Sequence, residues 1–249
     1  MSPYLAELIG TILLVLLGNG VVANVVLTRT KGHGAGWIVI TIGWSMAVFV
    51  GAFCAAPFSG AHLNPAVTVA MAMADKLAKA EVAGYLAAQM AGGILGGALV
   101  YVFYREHFRA SEDADAKLSC FCTAPNIRQL GQAFVCEVIG TFVLIFPVFL
   151  VTEPSFQLAE TPGSKATPIG LGSLGLLPVA LVVLAIGLSL GGTTGYAINP
   201  ARDLGPRIAH FFLPIPGKRD SDWGYAWVPV CGPLVGAVLA ALVFSAIRP

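Results

Sequence analysis

The chain has 249 residues, of which 57% are hydrophobic and 11% charged. Soluble domains carry about 25% charged residues, so a water-soluble enzyme domain is excluded. Fourteen Lys and Arg against thirteen Asp and Glu leave a formal net charge of +1, which provides neither a basic field for nucleic acid nor an acidic solvating tail.

Charged residues are absent from Trp37 to Ala74, from Val82 to Tyr104 and from Ala166 to Ala201. A hydrocarbon core of about 30 Å takes roughly 20 apolar helical residues to cross, so these runs predict a polytopic membrane protein. In chain order, the first predicted span is Tyr4 to Leu27, which carries Glu7 and lacks the flanks of a cleaved signal peptide. The second is Trp37 to Ala56, followed by an apolar stretch too short to cross, Pro65 to Ala74. The third, Val82 to Phe103, sets Gly84, Ala88, Gly92 and Gly96 at four-residue spacing, a small face that lets membrane helices approach closely. A charged connection from Arg105 to Gly131 leads to the fourth span, Gln132 to Val151, with Glu137 inside it. After a Pro, Gly, Ser and Thr rich loop from Thr152 to Gly170 come the fifth span, Leu171 to Leu190, and a second short stretch, Pro200 to Phe212. The sixth, Tyr225 to Ile247, carries Gly232, Gly236 and Ala240. All six read as helices, because lipid offers no partner for open backbone groups.

The chain repeats itself. Asn64-Pro65-Ala66 and Asn199-Pro200-Ala201 lie 135 residues apart, and Glu7-Leu8-Ile9-Gly10-Thr11 recurs 130 residues later as Glu137-Val138-Ile139-Gly140-Thr141. Each half is then three spans and one short helix, with residues 1–104 as the first repeat, 105–131 as the connection and 132–249 as the second, all in one membrane domain. An odd number of spans inverts one half against the other, and inverted repeats with broken helices place a substrate path near the midplane. The predicted fold class is all-α integral membrane, with six transmembrane helices and two re-entrant half-helices.

Asn is a strong N-cap and Pro is at home in the first helical turn, so both short helices start at their Asn. If both begin at the midplane, their positive poles meet there, repelling cations while the Asn amides donate to a neutral oxygen. The residues before each cap, Ser59 to Leu63 and Thr194 to Ile198, are expected to be extended and to present carbonyl acceptors from Gly60, Ala61, His62, Leu63, Gly195, Ala197 and Ile198. Buried carboxylates are costly, and Glu7 and Glu137 are assigned the structural role of accepting hydrogen bonds from the N-H groups of these loops. Arg202, one turn into the second short helix, is expected to face the path. Of five cysteines, only Cys120 and Cys122 lie outside apolar runs, with no further ligands beside them, so neither a disulfide framework nor a metal or cofactor is expected.

With two Asn-Pro-Ala boxes, a Glu in the first and fourth spans and Arg202 directly after the second box, the full chain resembles the aquaporin or major intrinsic protein family. Gly43-Trp44-Ser45-Met46-Ala47-Val48, Asn199-Pro200-Ala201-Arg202-Asp203-Leu204-Gly205-Pro206-Arg207 and Pro229-Val230 are similar to its aquaglyceroporin branch, the glycerol facilitators. The resemblance implies a passive channel for glycerol, water and other small neutral solutes such as urea and polyols, not an enzyme. It also implies a cell-membrane homotetramer with one pore per subunit and cytoplasmic termini. It places the narrowest filter at Trp44, Gly187, Tyr196 and Arg202, with Arg202 donating to hydroxyl oxygens, the two rings forming an apolar corner, and Gly187 leaving room for the carbon chain. Tyr196 departs from the family, which usually has Phe there. Lys76, Lys79, Lys165 and Arg248 fall inside against Arg29, Lys31, Arg105, Arg109, Lys117, Arg128, Arg207, Lys218 and Arg219 outside, a charge bias opposite to the usual rule. The rival readings are a water-selective aquaporin, a secondary transporter, which would need an ion site of carboxylates near the helix breaks, and a membrane enzyme.

Overall fold

The computed structural model describes residues 1–152, 155–156 and 167–247. Helix α1 spans Pro3–Val26, α2 Trp37–Ser59, the short α3 Pro65–Met73 and α4 Val82–Ala110. The second half has α6 at Leu130–Leu150, α7 at Leu177–Ser189, the short α8 at Pro200–Phe212 and α9 at Val228–Ile247, with a small helix α5, Ala114–Ser119, in the connection. Among the described residues six helical segments are long and apolar enough to cross a membrane, so the chain is a multi-pass membrane protein.

Several predicted boundaries shift. The third span does not stop at Phe103: it runs to Ala110 past a non-helical Tyr104, so the connection from Arg105 starts as helix and then forms α5 under an Asp113 cap. The fifth span enters through a 3₁₀ segment, Gly172–Leu176, before its α-helical part. Among the described residues the only strands are Ser155–Phe156 and Thr167–Pro168, an antiparallel pair within the predicted loop. Most of that loop, with Lys165, and Arg248 lie outside the described residues.

Small residues decide how the helices meet. A Cβ on Gly92 would come within 2.7 Å of the Leu8 carbonyl oxygen, and one on Gly96 within 2.7 Å of Val15, so this face of α4 lies directly on α1. The neighbouring Gly93 and Gly97 face α8, and a Cβ on Gly205 of α8 would come within 2.8 Å of the Gly93 backbone. Gly232 receives the Glu137 side chain and Gly236 the backbone of Val138, fixing α9 on α6. Each half-helix packs on the last span of the other half, α3 on α9 and α8 on α4. The two halves are therefore interlocked around their short helices.

A side chain at Gly93 has nowhere to go, because its Cβ would overlap the Ala201 carbonyl oxygen. Gly93→Ala is expected to cost about 1 to 3 kcal/mol and to lower the thermal midpoint in detergent. Gly20→Ala, where nothing lies within 4 Å of the new methyl group, is expected to leave the midpoint unchanged or raise it.

Candidate functional site

Both short helices start as their tripeptides dictate. Asn64 caps α3 by accepting from the Ala66 N-H at 2.9 Å, and Asn199 caps α8 by accepting from Ala201 at 3.0 Å and Arg202 at 3.2 Å. Each Asn also reaches across to the opposite loop. Asn64 Nδ2 donates to the Ile198 carbonyl and Asn199 Nδ2 to the Leu63 carbonyl, both at 2.8 Å. The two helix N-termini therefore meet head to head. A primary amide has two N-H groups, so each Asn keeps one without a protein acceptor among the described residues, and both Asn64 and Asn199 line a cavity of about 530 Å³.

The loops that lead to these caps are not extended, as the sequence suggested. Gly60, Ala61 and Leu63 have φ of 78°, 55° and 50°, and Gly195, Tyr196 and Ile198 have 83°, 38° and 45°. Left-handed backbone is costly for a β-branched residue such as Ile198, so something must hold it. Two buried carboxylates do. Glu7, 0% exposed, accepts from the N-H groups of His62 (2.9 Å) and Leu63 (2.6 Å), from Ser59 Oγ (2.6 Å) and from Gln89 Nε2 (2.8 Å). Glu137 accepts from Ala197 (3.0 Å) and Ile198 (2.8 Å) and from Thr194 Oγ1 (2.8 Å). With the N-H groups of the last two loop residues turned to the carboxylate, the carbonyls of Gly60, Ala61, His62, Tyr196 and Ala197 are left without a protein partner among the described residues. These residues line the cavity.

The cavity is lined on its other side by Leu14, Val48, Val67, Leu144 and Val183. Near one end, the guanidinium of Arg202 lies 3.9 Å from the centroid of the Trp44 ring, a stacked cation-π geometry. Trp44, Tyr196 and Arg202 all line this end, but Gly187 and Gly195 do not. Gly187 is covered by Tyr196: a Cβ there would be 3.0 Å from both the phenol Cζ and its oxygen. The room that a glycine was expected to leave is occupied by the hydroxyl that distinguishes Tyr from Phe. That hydroxyl is buried and has no hydrogen-bond partner among the described residues. Gly195 instead turns toward Thr123.

Several contributors were not singled out from sequence. Trp37 at the start of α2 donates its indole N-H to the Gly187 carbonyl at 2.9 Å and packs edge-on to Tyr196, so it fixes two residues of this end at once. Gln89 joins Glu7 to Thr68 Oγ1 (both 2.8 Å), and Tyr85 donates to the Ser59 carbonyl at 2.9 Å. Arg207, counted among outside charges, is 0% exposed and paired with Asp203, while Lys218 donates to the His210, Phe211 and Leu213 carbonyls at the end of α8. Arg128, just before α6, grips Asp222 in the loop before α9 with two bonds of 2.5 and 2.6 Å and holds its carboxyl below the usual carboxylate range. No cluster of metal ligands exists among the described residues.

Six apolar spans and two half-helices meeting head to head around a polar-edged cavity define a helical membrane protein built to surround a path. A family model described as "Major intrinsic protein" matches residues 1–244, and the chain belongs to this family. It is 49% identical over 245 residues to a "Probable glycerol uptake facilitator protein" of Thermotoga maritima, covering 98% of this chain and 99% of that one. It is 50% identical over 241 residues to "Glycerol uptake facilitator protein 3" of Lactiplantibacillus plantarum, covering 97% and 95%. The solved structure of the aquaglyceroporin from Plasmodium falciparum superposes with a TM-score of 0.81 at 31% identity, over 98% of this chain and 95% of that one.

Removing an anchor carboxylate strands two loop N-H groups at membrane depth, each costing about 1 to 3 kcal/mol. Glu137→Ala is expected to lower the thermal midpoint and the yield of folded protein, while the ratio of glycerol to water permeability of what does fold stays within about twofold of wild type, below 0.5 kcal/mol. A large change in that ratio at unchanged stability would contradict the structural role.

Proposed function

We propose that this chain is a passive cell-membrane channel for glycerol and other small neutral solutes, water among them, that excludes ions and protons. The observation that carries the reading is the donor arrangement at the meeting of the half-helices. Each Asn amide has one N-H left over, and the Arg202 guanidinium donates to no protein acceptor among the described residues. A hydroxylic solute finds donors there, acceptors along the loop carbonyls, and an apolar wall for its carbon chain. A polyol sheds its water at low cost only when its hydroxyls find such partners and its CH groups meet an apolar surface. Two helix N-termini bring about half a positive charge each, and with Arg202 they repel cations and protons. No carboxylate lines the cavity among the described residues, which speaks against an ion-coupled transporter. Relatives known as glycerol uptake facilitators, about half identical to this chain, support glycerol as the solute. Termini in the cytoplasm and a homotetramer with a pore in each subunit complete the reading, supported by family membership and by apolar outer helix faces such as Val102, Phe103, Leu181 and Leu242.

A water-selective channel is the second reading, and one observation favours it: the Tyr196 hydroxyl fills the space above Gly187. Both are tested by stopped-flow swelling of proteoliposomes with glycerol, urea and water. Wild type is expected to pass glycerol well above protein-free vesicles; water flux without glycerol flux would favour the water-selective reading. Tyr196→Phe removes an unpartnered hydroxyl and opens volume over Gly187, so glycerol flux is expected to hold or rise by up to about threefold, or 0.7 kcal/mol. Combining Gly187→His with Trp44→Phe drives a ring against Tyr196 and weakens the apolar corner. That variant is expected to lose glycerol flux by about tenfold or more, 1.4 kcal/mol, and to keep water flux. Glycerol conduction equal to wild type would remove these residues from the filter.

A further inference from the structure

Arg202 is the only charged side chain among the described residues that line the cavity. Its guanidinium rests on Trp44 and donates no hydrogen bond to the protein among the described residues; Asn199 is reached by the backbone N-H. A guanidinium buried this deeply normally takes a carboxylate partner, and its immediate neighbour is Asp203, itself 0% exposed. Asp203 is fully occupied elsewhere. Its Oδ1 accepts from Arg207 Nε at 2.9 Å and Nη2 at 2.8 Å, and its Oδ2 from the Thr123 N-H and Oγ1, both at 2.7 Å. Arg207 spends its other N-H groups on the carbonyls of Ser221 (2.7 Å), Asp222 (3.1 Å) and Thr123 (2.9 Å). A carboxylate offers about four acceptor sites and a guanidinium five donors, so both groups are saturated.

The repeat supplies a control. Counting 135 residues back from Asp203 reaches Thr68, which anchors the other half-helix with a neutral set: Thr68 Oγ1 contacts the Asn64 carbonyl, Gln89 Nε2 and His62 Nδ1 at 3.1, 2.8 and 3.1 Å. A half-helix of this design is thus held without an ion pair. The ionic version occurs beside Arg202.

We propose that Asp203 and Arg207 are positioning residues for the Arg202 filter: by saturating one another they deprive Arg202 of a protein partner and leave its guanidinium free for the solute. Four residues apart on α8, they share a face, whereas Arg202 is turned from Asp203 by one residue toward the cavity. The inference rests on the solute-channel reading. Arg207→Met frees the Asp203 carboxylate to draw on Arg202, and Asp203→Asn with Arg207→Met removes the competing charge as well. Arg207→Lys keeps the charge but loses the fork, leaving some of the three loop carbonyls unbonded.

The readout is the ratio of glycerol to water permeability in proteoliposomes, which does not depend on how many channels folded. Arg207→Met is expected to lower the ratio by about tenfold, while the double variant and Arg207→Lys stay within about threefold of wild type, since removing one member of a buried pair costs far more than removing both. A double variant or a Lys variant as impaired as Arg207→Met would overturn the proposal, because the pair would then act only by tying the outer loops to α8. An unchanged ratio in Arg207→Met would also overturn it. Should Arg207→Met not fold, Arg207→Gln, which also removes the charge and keeps Asp203, takes its place: a ratio about tenfold lower than in the double variant supports the proposal, and a ratio equal to that of the double variant overturns it. Should wild type pass water but no glycerol, the glycerol reading fails by itself, and water permeability per folded protein carries the same comparison.

Discussion

The structure depends on how backbone polar groups are satisfied where no water or lipid can do it. Two loops end where the half-helices meet, in left-handed turns that favour glycine, yet they contain Ala61, Leu63, Tyr196 and Ile198. Glu7 and Glu137 take the N-H groups on one side of each loop. Carbonyls are left on the cavity side, and the Asn caps follow at a fixed point. One buried carboxylate per half thus settles loop shape, carbonyl ladder and half-helix start together. The paired N-H groups offset the cost of burying the charge.

The two halves share this device but differ in what surrounds it. Around α3 the anchor is neutral, built from Gln89, Thr68, His62 and Tyr85. Around α8 it is ionic, with Asp203 and Arg207 tied to the loops at Thr123 and Ser221–Asp222. Arg202, the one charged side chain among the described residues that line the cavity, sits on the ionic side against Trp44. Among the described residues the one charge that lines the cavity is thus positive, and it lies on the same side as a helix N-terminus, where negative or electron-rich groups are favoured.

Much of the fold was legible because membrane helices announce themselves by length and by absence of charge, and because Asn-Pro marks a helix start at one residue. Pro200–Phe212 was read with its observed ends. The α4 end was missed because Tyr104 to Ala110 is a polar helix beyond the apolar run, stabilised by packing rather than hydropathy. At the site, side chains with charge or caps could be located by spacing, but φ signs could not, since nothing in Ala-His-Leu or Ala-Ile announces a left-handed turn. Tyr196 over Gly187 is a contact between a loop and a helix nine residues apart in sequence, and only the backbone path shows that a phenol oxygen takes the glycine's space. Arg207 was counted as an outside charge because a count of charges cannot see that Asp203, four residues earlier, turns it inward.

The central claim is that the Asn64 and Asn199 amides each hold a donor for the solute while bonding the opposite loop. The most direct test is glycerol permeability of proteoliposomes carrying Asn64→Asp with Asn199→Asp, normalised to monodisperse folded protein. Aspartate caps helices as well as asparagine but has no amide N-H to donate. Glycerol flux is therefore predicted to fall by about tenfold or more, the equivalent of 1.4 kcal/mol in the barrier. Glycerol flux equal to wild type in the folded double variant would contradict the claim.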